Sequence, residues 1–367
     1  MNNNSNIATV ALTTLLVFGP GISSCAPDQV SSSEPSVLEV ELLPQQSGLS
    51  GSLRGLSAVD GNIAWVSGAG GSFARTWDGG NQWHPGIVAG AEELDFRDLE
   101  AWDAESALLM SAGPGEASRI YSTGDGGQNW TLHYTNPYPD GFFDGMAFSD
   151  SRRGFLYGDV IEGKLFVLRT EDGGAHWTRI APDHLPALLE GEHGFAASGT
   201  GIATFENQVW IGTGGIRARV FHSPDAGETW TVSETPVVSG DAASGIFSLS
   251  VNRALEVIVV GGSYQNPKNT GNNLALQRDG TGWTLLSASP PFGYKSAITF
   301  LPQTSGRGMI VSGTSGSHYS TDGGNRWQEI EPVGYHAVTF GSSLDSGWGA
   351  GADGRVAKVM VTASQQP

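Results

Sequence analysis

Six variants of one short pattern, Ser/Thr-x-Asp-x-Gly-x-x-Trp, recur along this chain of 367 residues at intervals of roughly forty to fifty residues, the period of propeller blades. They read TWDGGNQW from Thr76, TGDGGQNW from Thr123, TEDGGAHW from Thr170, SPDAGETW from Ser223 and STDGGNRW from Ser320, with a worn copy, QRDGTGW, from Gln277. The composition agrees, since 53 Gly and 11 Trp with only 15% charged residues is the profile of many short strands joined by tight turns. No long stretch follows the 3.6-residue period of a helix. Only LPALLEG, around Leu185, suits a helical turn or two.

Each position of the pattern has a physical task. The carboxylates of Asp78, Asp125, Asp172, Asp225, Asp279 and Asp322 accept backbone N–H groups of their own turn, the Ser/Thr hydroxyl does likewise, and Gly supplies a positive φ. Trp then packs between neighbouring sheets. The pattern resembles the Asp-box, or BNR repeat, a folded turn rather than a catalytic motif. The worn copy lacks the hydroxyl and one residue of spacing, which predicts a tighter turn at the edge of the fifth blade. A calcium loop needs an Asp-x-Asp-x-Asp-Gly run with a later Glu. That run is absent, so neither a metal nor a cofactor is expected and the six aspartates read as structural.

The formal charge is −18, with 37 acidic against 19 basic residues. A nucleic-acid binder carries a basic stripe, so nucleic acid is an unsuitable partner. At the N-terminus, residues 7 to 20 run apolar and the chain then shifts to small residues ending at Cys25. Ile22-Ser23-Ser24-Cys25 resembles a lipobox, and the apolar stretch falls short of the ~20 residues of a membrane span. The expectation is a lipoprotein signal over residues 1–24, lipidation of Cys25, and a flexible tether over residues 25–36. The folded domain then lies in the bacterial cell envelope, facing the periplasm or the exterior. Cys25 is the only cysteine, so no disulfide forms within one chain.

From Val37 to residue 363 the chain divides into blades, leaving a tail of residues 364–367. Opening strands read LRGLSAV from Leu53, FRDLEAW from Phe96, FFDGMAF from Phe142, IFSLSV from Ile246 and YKSAITF from Tyr294, with a looser opening at Phe195 and a last unit, without a box, from Tyr335. The alternating segment VLEVELLP, residues 37–44, precedes the first blade and is assigned as the missing fourth strand of the last. The fold class is therefore all-β, a seven-bladed β-propeller closed by its N-terminal strand, which removes the open edges of an unclosed array.

Aligning the opening strands exposes a second column: Arg54, Arg97, Asp144, Ser198, Phe247, Lys295 and His336. The first strand of a blade is innermost, so these side chains are expected to converge at one mouth of the central channel. One reading makes them solvated ion pairs, Arg97 with Asp98 or Arg54 with Asp144, worth only about 0–1 kcal/mol each. The other makes them a pocket in which Arg54 and Arg97 hold a carboxylate or phosphate in bidentate fashion. Tyr264, Tyr294 and Trp210 are then the aromatic walls and the loop from Pro182 to Gly194 is the rim.

Seven blades, boxes of the form DGGxxW and an opening of the form Phe-Arg-Asp-aliphatic resemble the photosystem II stability/assembly factor propellers and their bacterial relatives outside photosynthesis. The resemblance covers residues 37–363. It implies a non-catalytic exported scaffold that holds a membrane-protein assembly intermediate through an arginine-bearing face, with Arg54 and Arg97 in the matching positions. No thylakoid address is present, so the photosynthetic partner is not implied. The expected partner is a protein or a small anionic ligand, and the expected state a monomer. The alternative is a sialidase-like glycoside hydrolase, whose chemistry needs three arginines, a Tyr nucleophile and carboxylates. Here the candidate carboxylates are Asp144, Glu190 and Glu192, and the Phe/Tyr-Arg-Ile-Pro opening is replaced by LRGL and FRDL. GAGADG, residues 349–354, leads into a strand rather than the helix that a dinucleotide site requires, and reads as a hairpin turn.

Overall fold

Each repeat supplies four antiparallel strands, because its apolar residues alternate over short runs and its turns carry Gly where a helix would stop. The computed structural model describes residues 37–364 except 279, 281 and 290. The signal segment, Cys25, the tether and Asp279 thus lie outside the described residues. Blade 1 is built from Leu53–Ala58, Ala64–Gly68, Ser72–Thr76 and His84–Ile87, in that spatial order from the channel outward. Six further sheets repeat the plan, giving seven blades among the described residues. The innermost strands of blades 2 to 7 are Phe96–Ala101, Phe143–Phe148, Ile202–Phe205, Ser244–Val251, Ala297–Phe300 and Ala337–Phe340.

The last blade is completed from the other end of the chain. Val37–Gln46 pairs antiparallel with Arg355–Ser364 in unbroken register, Val37 opposite Ser364 and Gln46 opposite Arg355. GAGADG is a hairpin turn, its flanking strands Gly347–Ala350 and Arg355–Ser364 pairing antiparallel, with Asp353 and Gly354 at φ 56° and 67°. Two expectations shift. Blade 4 begins its inner strand at Ile202 rather than at Phe195, and the helical turn near Leu185 is a single 3-10 turn at Pro182–His184. Two short strands, Glu192–His193 and Gly214–Gly215, extend the sheet of blade 5.

The repeated turn holds the blades apart at a fixed spacing. In the five intact copies the Ser/Thr hydroxyl donates to its Asp Oδ1 at 2.9–3.0 Å. It accepts the N–H of Gly80, Gly127, Gly174, Gly227 or Gly324 at 2.8–3.0 Å. The same Oδ1 accepts the N–H four residues on, at Gln82, Asn129, His176, Thr229 and Arg326. The residue directly after the Asp donates its own N–H to the neighbouring turn of its blade: Gly79 to Asn62, Gly126 to Glu105, Gly173 to Arg152, Ala226 to Asn207 and Gly323 to Arg307 carbonyls. With its polar groups satisfied internally, the turn is free to press an apolar side against the preceding blade. Trp83 meets Trp348 of blade 7 edge-to-face at 5.6 Å, Trp130 meets Phe73 of blade 1 at 5.2 Å, and Trp177 meets Phe148 of its own blade at 6.0 Å. Even in the worn copy, Trp283 Nε1 crosses to Ser233 Oγ of blade 4 at 2.9 Å.

The second glycine of each turn answers two constraints at once. Gly174 sits at φ 86°, and a Cβ there would lie 2.6 Å from Leu108 Cδ1 of blade 2. Gly174→Ala is therefore expected to cost about 2–4 kcal/mol, from the left-handed backbone and from overpacking. At the preceding position of the fourth turn Ala226 already occupies φ 58°, so Ala226→Gly should be neutral or stabilise by up to about 1 kcal/mol. Urea unfolding of both variants measures this; equal midpoints would contradict it.

The turn carboxylates also set the acid limit. Asn129 side-chain and backbone N–H groups hold Asp125 down to about 2, and the His176 backbone and ring do the same for Asp172. A carboxylate with a depressed folded-state pKa contributes stability that is present above its unfolded value near 4 and lost as pH falls through the folded one. The melting temperature should therefore drop between about pH 4 and pH 2, with a shallower drop in Asp125→Asn/Asp172→Asn. Parallel profiles would overturn this assignment.

Candidate binding site at the channel mouth

A β-bulge at the start of the inner strand re-aims four positions of the second column. Register shifts bracket Arg54 in blade 1, Arg97 in blade 2, Asp144 in blade 3 and Phe247 in blade 5. The extra residue of a bulge is unpaired and re-aimed, which turns these positions off the plane of the blade. Gly55 follows the first bulge because a Cβ there would meet Ser67 Oγ at 2.1 Å and the Asp98 backbone of blade 2 at 3.1 Å. The inner strands approach one another closely around the ring.

Three of the five predicted site residues come together. Arg54, Arg97 and His336 line one cavity of about 390 Å³ with Phe195, Phe247, Tyr264 and Tyr294. Two do not. Lys295 is 0% exposed and turns into blade 6, where Nζ donates to Gly316 O at 2.7 Å and Ser315 Oγ at 2.9 Å. Its N–H is bound to Gly261 O of blade 5, and burial pulls its pKa down to about 7. Asp144 is 2% exposed and packs against Gly194, outside the cavity lining, its Oδ2 2.2 Å from where a Gly194 Cβ would stand. Burial, then the neighbouring Asp159, raise its carboxyl well above the usual range.

The expected ion pairs are also replaced. Arg97 Nε donates to Asp95 Oδ2 at 2.7 Å, whereas Asp98 is buried and accepts the N–H groups of Leu99 and, across to blade 3, Met146. Arg54 Nη1 donates to Ala197 O at 2.9 Å and has no bond to Asp144. Trp210 is buried among blade 4 and 5 side chains, stacked on His222 at 4.7 Å, and forms no wall of the cavity. The loop from Pro182 to Gly194, expected as the rim, contributes no residue to the cavity lining; in it Glu192 is buried against Arg219: Nε donates to Oε1 at 2.9 Å, Nη2 donates to Oε2, and Thr213 Oγ1 donates to Oε1 at 2.6 Å.

The feature that pattern alignment misses is a plug. Phe195 to Gly201 does not open blade 4 as a strand; it reaches into the channel axis and is held by other blades. Arg54 of blade 1 and Arg97 of blade 2 donate to the Ala197 and Ala196 carbonyls, Ser198 Oγ donates to Ser296 O of blade 6 at 2.7 Å, and Leu249 N–H of blade 5 donates to Thr200 O at 2.8 Å. Gly199, at φ 73°, passes so close to Asp98 of blade 2 that a Cβ would meet Oδ1 at 2.1 Å. Ala196 and Ala197 line the mouth cavity, while Ser198, Gly199 and Thr200 line a separate chamber of about 380 Å³ walled by all seven inner strands. The mouth is a blind pocket. The run FAASGTG was the available signal: small residues where the other blades carry a large apolar opening.

The cavity has two unlike sides. Arg54 and Arg97 stand close enough that burial and Arg97 both lower the Arg54 pKa, though a guanidinium stays charged at neutral pH. Facing them, Phe195 stacks on Phe247 at 3.8 Å and 20°, and Tyr294 and Tyr264 meet Phe247 edge-to-face at 4.8 and 6.2 Å. Burial raises the Tyr294 phenol far above its usual value, keeping it a neutral donor. Guanidinium forks suit planar or tetrahedral oxyanions in two-point fashion, and the aromatic side of the cavity is apolar.

A seven-bladed β-propeller with a blind, arginine-bearing mouth is the class these observations define. No family model matches the chain. Its sequence is similar to that of the photosystem II assembly lipoprotein Ycf48 of Synechococcus sp. (strain CC9902), 26% identical over 210 residues, which cover 54% of this chain and 57% of that relative's length. The chain thus matches a little over half of that relative. In solved structures the fold is shared with a Ycf48 described as bound to D1 peptide, at a TM-score of 0.63 and 17% identity, covering 89% of this chain and 99% of that one. It is shared also with the GH74 xyloglucanase of Xanthomonas campestris, at 0.60 and 15%, covering 90% and 56%. The resemblance to the assembly-factor propellers is supported by both the sequence relationship and the fold.

The loop from Pro182 to Gly194 makes a direct stability test. Arg219→Met leaves the Glu192 carboxylate buried without its partner and should cost about 3–5 kcal/mol, most of it recovered in Arg219→Met/Glu192→Leu. Denaturation of the single and double variants decides this, and a single-variant cost below about 1 kcal/mol would show that the pair does not hold the loop.

Proposed function

We propose that this chain is a non-catalytic binding scaffold of the bacterial cell envelope, anchored by a lipid on Cys25, that holds a protein partner at the mouth bearing Arg54 and Arg97. The observation that carries the reading is the pairing of two guanidinium groups with an aromatic wall in one blind cavity. This arrangement suits an acidic group with an apolar neighbour, as a polypeptide presents it. The Ycf48 structure bound to a peptide and the lipoprotein relative both support a protein partner and a membrane tether. The photosynthetic partner is not carried over, and the xyloglucanase likeness speaks for the fold alone.

The glycosidase alternative is the weaker reading. It needs carboxylates free to act beside the arginines, and none of those named for it lines the cavity: Asp144 is buried against Gly194, Glu192 is locked on Arg219, and Glu190 is exposed outside the lining. The carboxylate that does stand beside Arg97, Asp95, is taken up by its ion pair. Affinity purification of the lipidated protein from its native membrane, beside Arg54→Glu/Arg97→Glu, tests the proposal. The expected result is a membrane protein that co-purifies with the wild type and is lost from the double variant. Identical partner-free profiles would overturn it.

A further inference from the structure

Among the side chains that line the mouth, His336 is the one whose free polar atom can only accept a hydrogen bond. Its Nδ1 lies 3.2 Å from Leu53 O and 3.3 Å from Ser52 Oγ. A carbonyl oxygen can only accept, so Nδ1 carries the proton. The ring is held in place from both sides of its own backbone: the His336 N–H donates to Ala350 O, and Ser296 Oγ donates to His336 O at 2.8 Å. Nε2 has no protein partner among the described residues and is not among the enclosed atoms. The ring lines the cavity beside Arg54, so the Nε2 lone pair is presented to whatever occupies it.

The surroundings keep the imidazole neutral. Burial, then the Arg54 charge, bring its pKa down to about 4. Tyr264, Tyr294 and Thr314 also line the cavity, but a hydroxyl rotates to donate or accept, and that of Ser296 already donates to His336 O. A neutral Nε2 cannot. An oxyanion without a proton, seated on the two guanidiniums, sets its own lone pairs against that nitrogen; one with a donor in the right place satisfies it.

We infer that the mouth selects an acid carrying a hydrogen-bond donor beside its charge: a hydrogenphosphate, or a carboxylate flanked by a hydroxyl or N–H. The anionic oxygens sit on Arg54 and Arg97 and the donor sits on His336 Nε2. This rests on the anion-binding reading of the arginine pair and adds a specificity residue to it.

Hydrogenphosphate and sulfate share shape and, at slightly alkaline pH, charge, but only the first keeps a proton. Both salts stabilise folded proteins non-specifically, so binding is read by calorimetric titration rather than by melting. A buried acceptor left unpaired costs about 1–3 kcal/mol, so the wild type should prefer hydrogenphosphate by at least ~5-fold. In His336→Phe, which keeps a ring and removes the acceptor, the ratio should fall to about 2-fold or less. His336→Gln, whose amide oxygen accepts, should retain part of the preference and guards against misfolding of the first variant. Lactate against propionate asks the same question of a carboxylate, and the same order is expected. If wild type binds both anions equally and Arg54→Glu/Arg97→Glu loses both, the arginine pair stands and the donor rule is wrong. A preference that survives in folded His336→Phe also overturns it. If no probe binds the wild type, the anion-binding reading itself fails.

Discussion

Closure between the first and last strands is the constraint on which the site depends. The pairing of Val37–Gln46 with Arg355–Ser364 brings blade 7 against blade 1, and side chains then lock the seam. Trp348 Nε1 donates to Asp60 O, Lys358 Nζ donates to Gly61 O, and the Lys358 ammonium lies 4.0 Å from the Trp348 ring. At the mouth the same seam sets Leu53 N–H on Gly351 O and His336 against Ser52 and Leu53. Arg54 and His336 come from opposite sides of that join and are neighbours only because the ring is shut. A chain that failed to close would lose both the stability of the ring and the cavity.

Within the closed ring the division of labour follows from strand direction. The repeated turns and their Trp side chains lie at the far ends of the inner strands, where they set blade spacing, and the bulged starts gather at the other face. Structural and candidate-site residues therefore occupy different ends of the same blades. The plug extends this separation along the axis. By placing Ala196 and Ala197 under the arginines, it makes the mouth a pocket and leaves the hydroxyl-rich chamber below as a distinct space.

Much of this was legible in the residues because the determinants are local and repeated. The six turns announced the blades, and the VLEVELLP segment announced the closing strand. The Arg54 and Arg97 positions fell into register because each sits on the same bulge. What stayed hidden depends on where a side chain turns after leaving a shared position. Lys295 aligns with the arginines, yet its long stem finds three oxygens inside blade 6. Asp144 aligns as well, but Gly194 and the plug cover it. Trp210 reads as an aromatic wall and is instead a core residue between blades. Phe195 reads as a strand start and is instead the first residue of the plug, because the small residues after it let the chain cross the channel rather than follow its wall.

The central claim is that this face of the ring, and not the other, meets the partner. Site-specific photo-crosslinking in the native envelope tests it most directly, with the crosslinker placed at Tyr264, half exposed on the rim of the mouth, or at Gln303, exposed on the groove of the opposite face. A partner captured from Tyr264 and not from Gln303 is the predicted result. Capture from Gln303 alone would contradict it and move the function to the other end of the propeller.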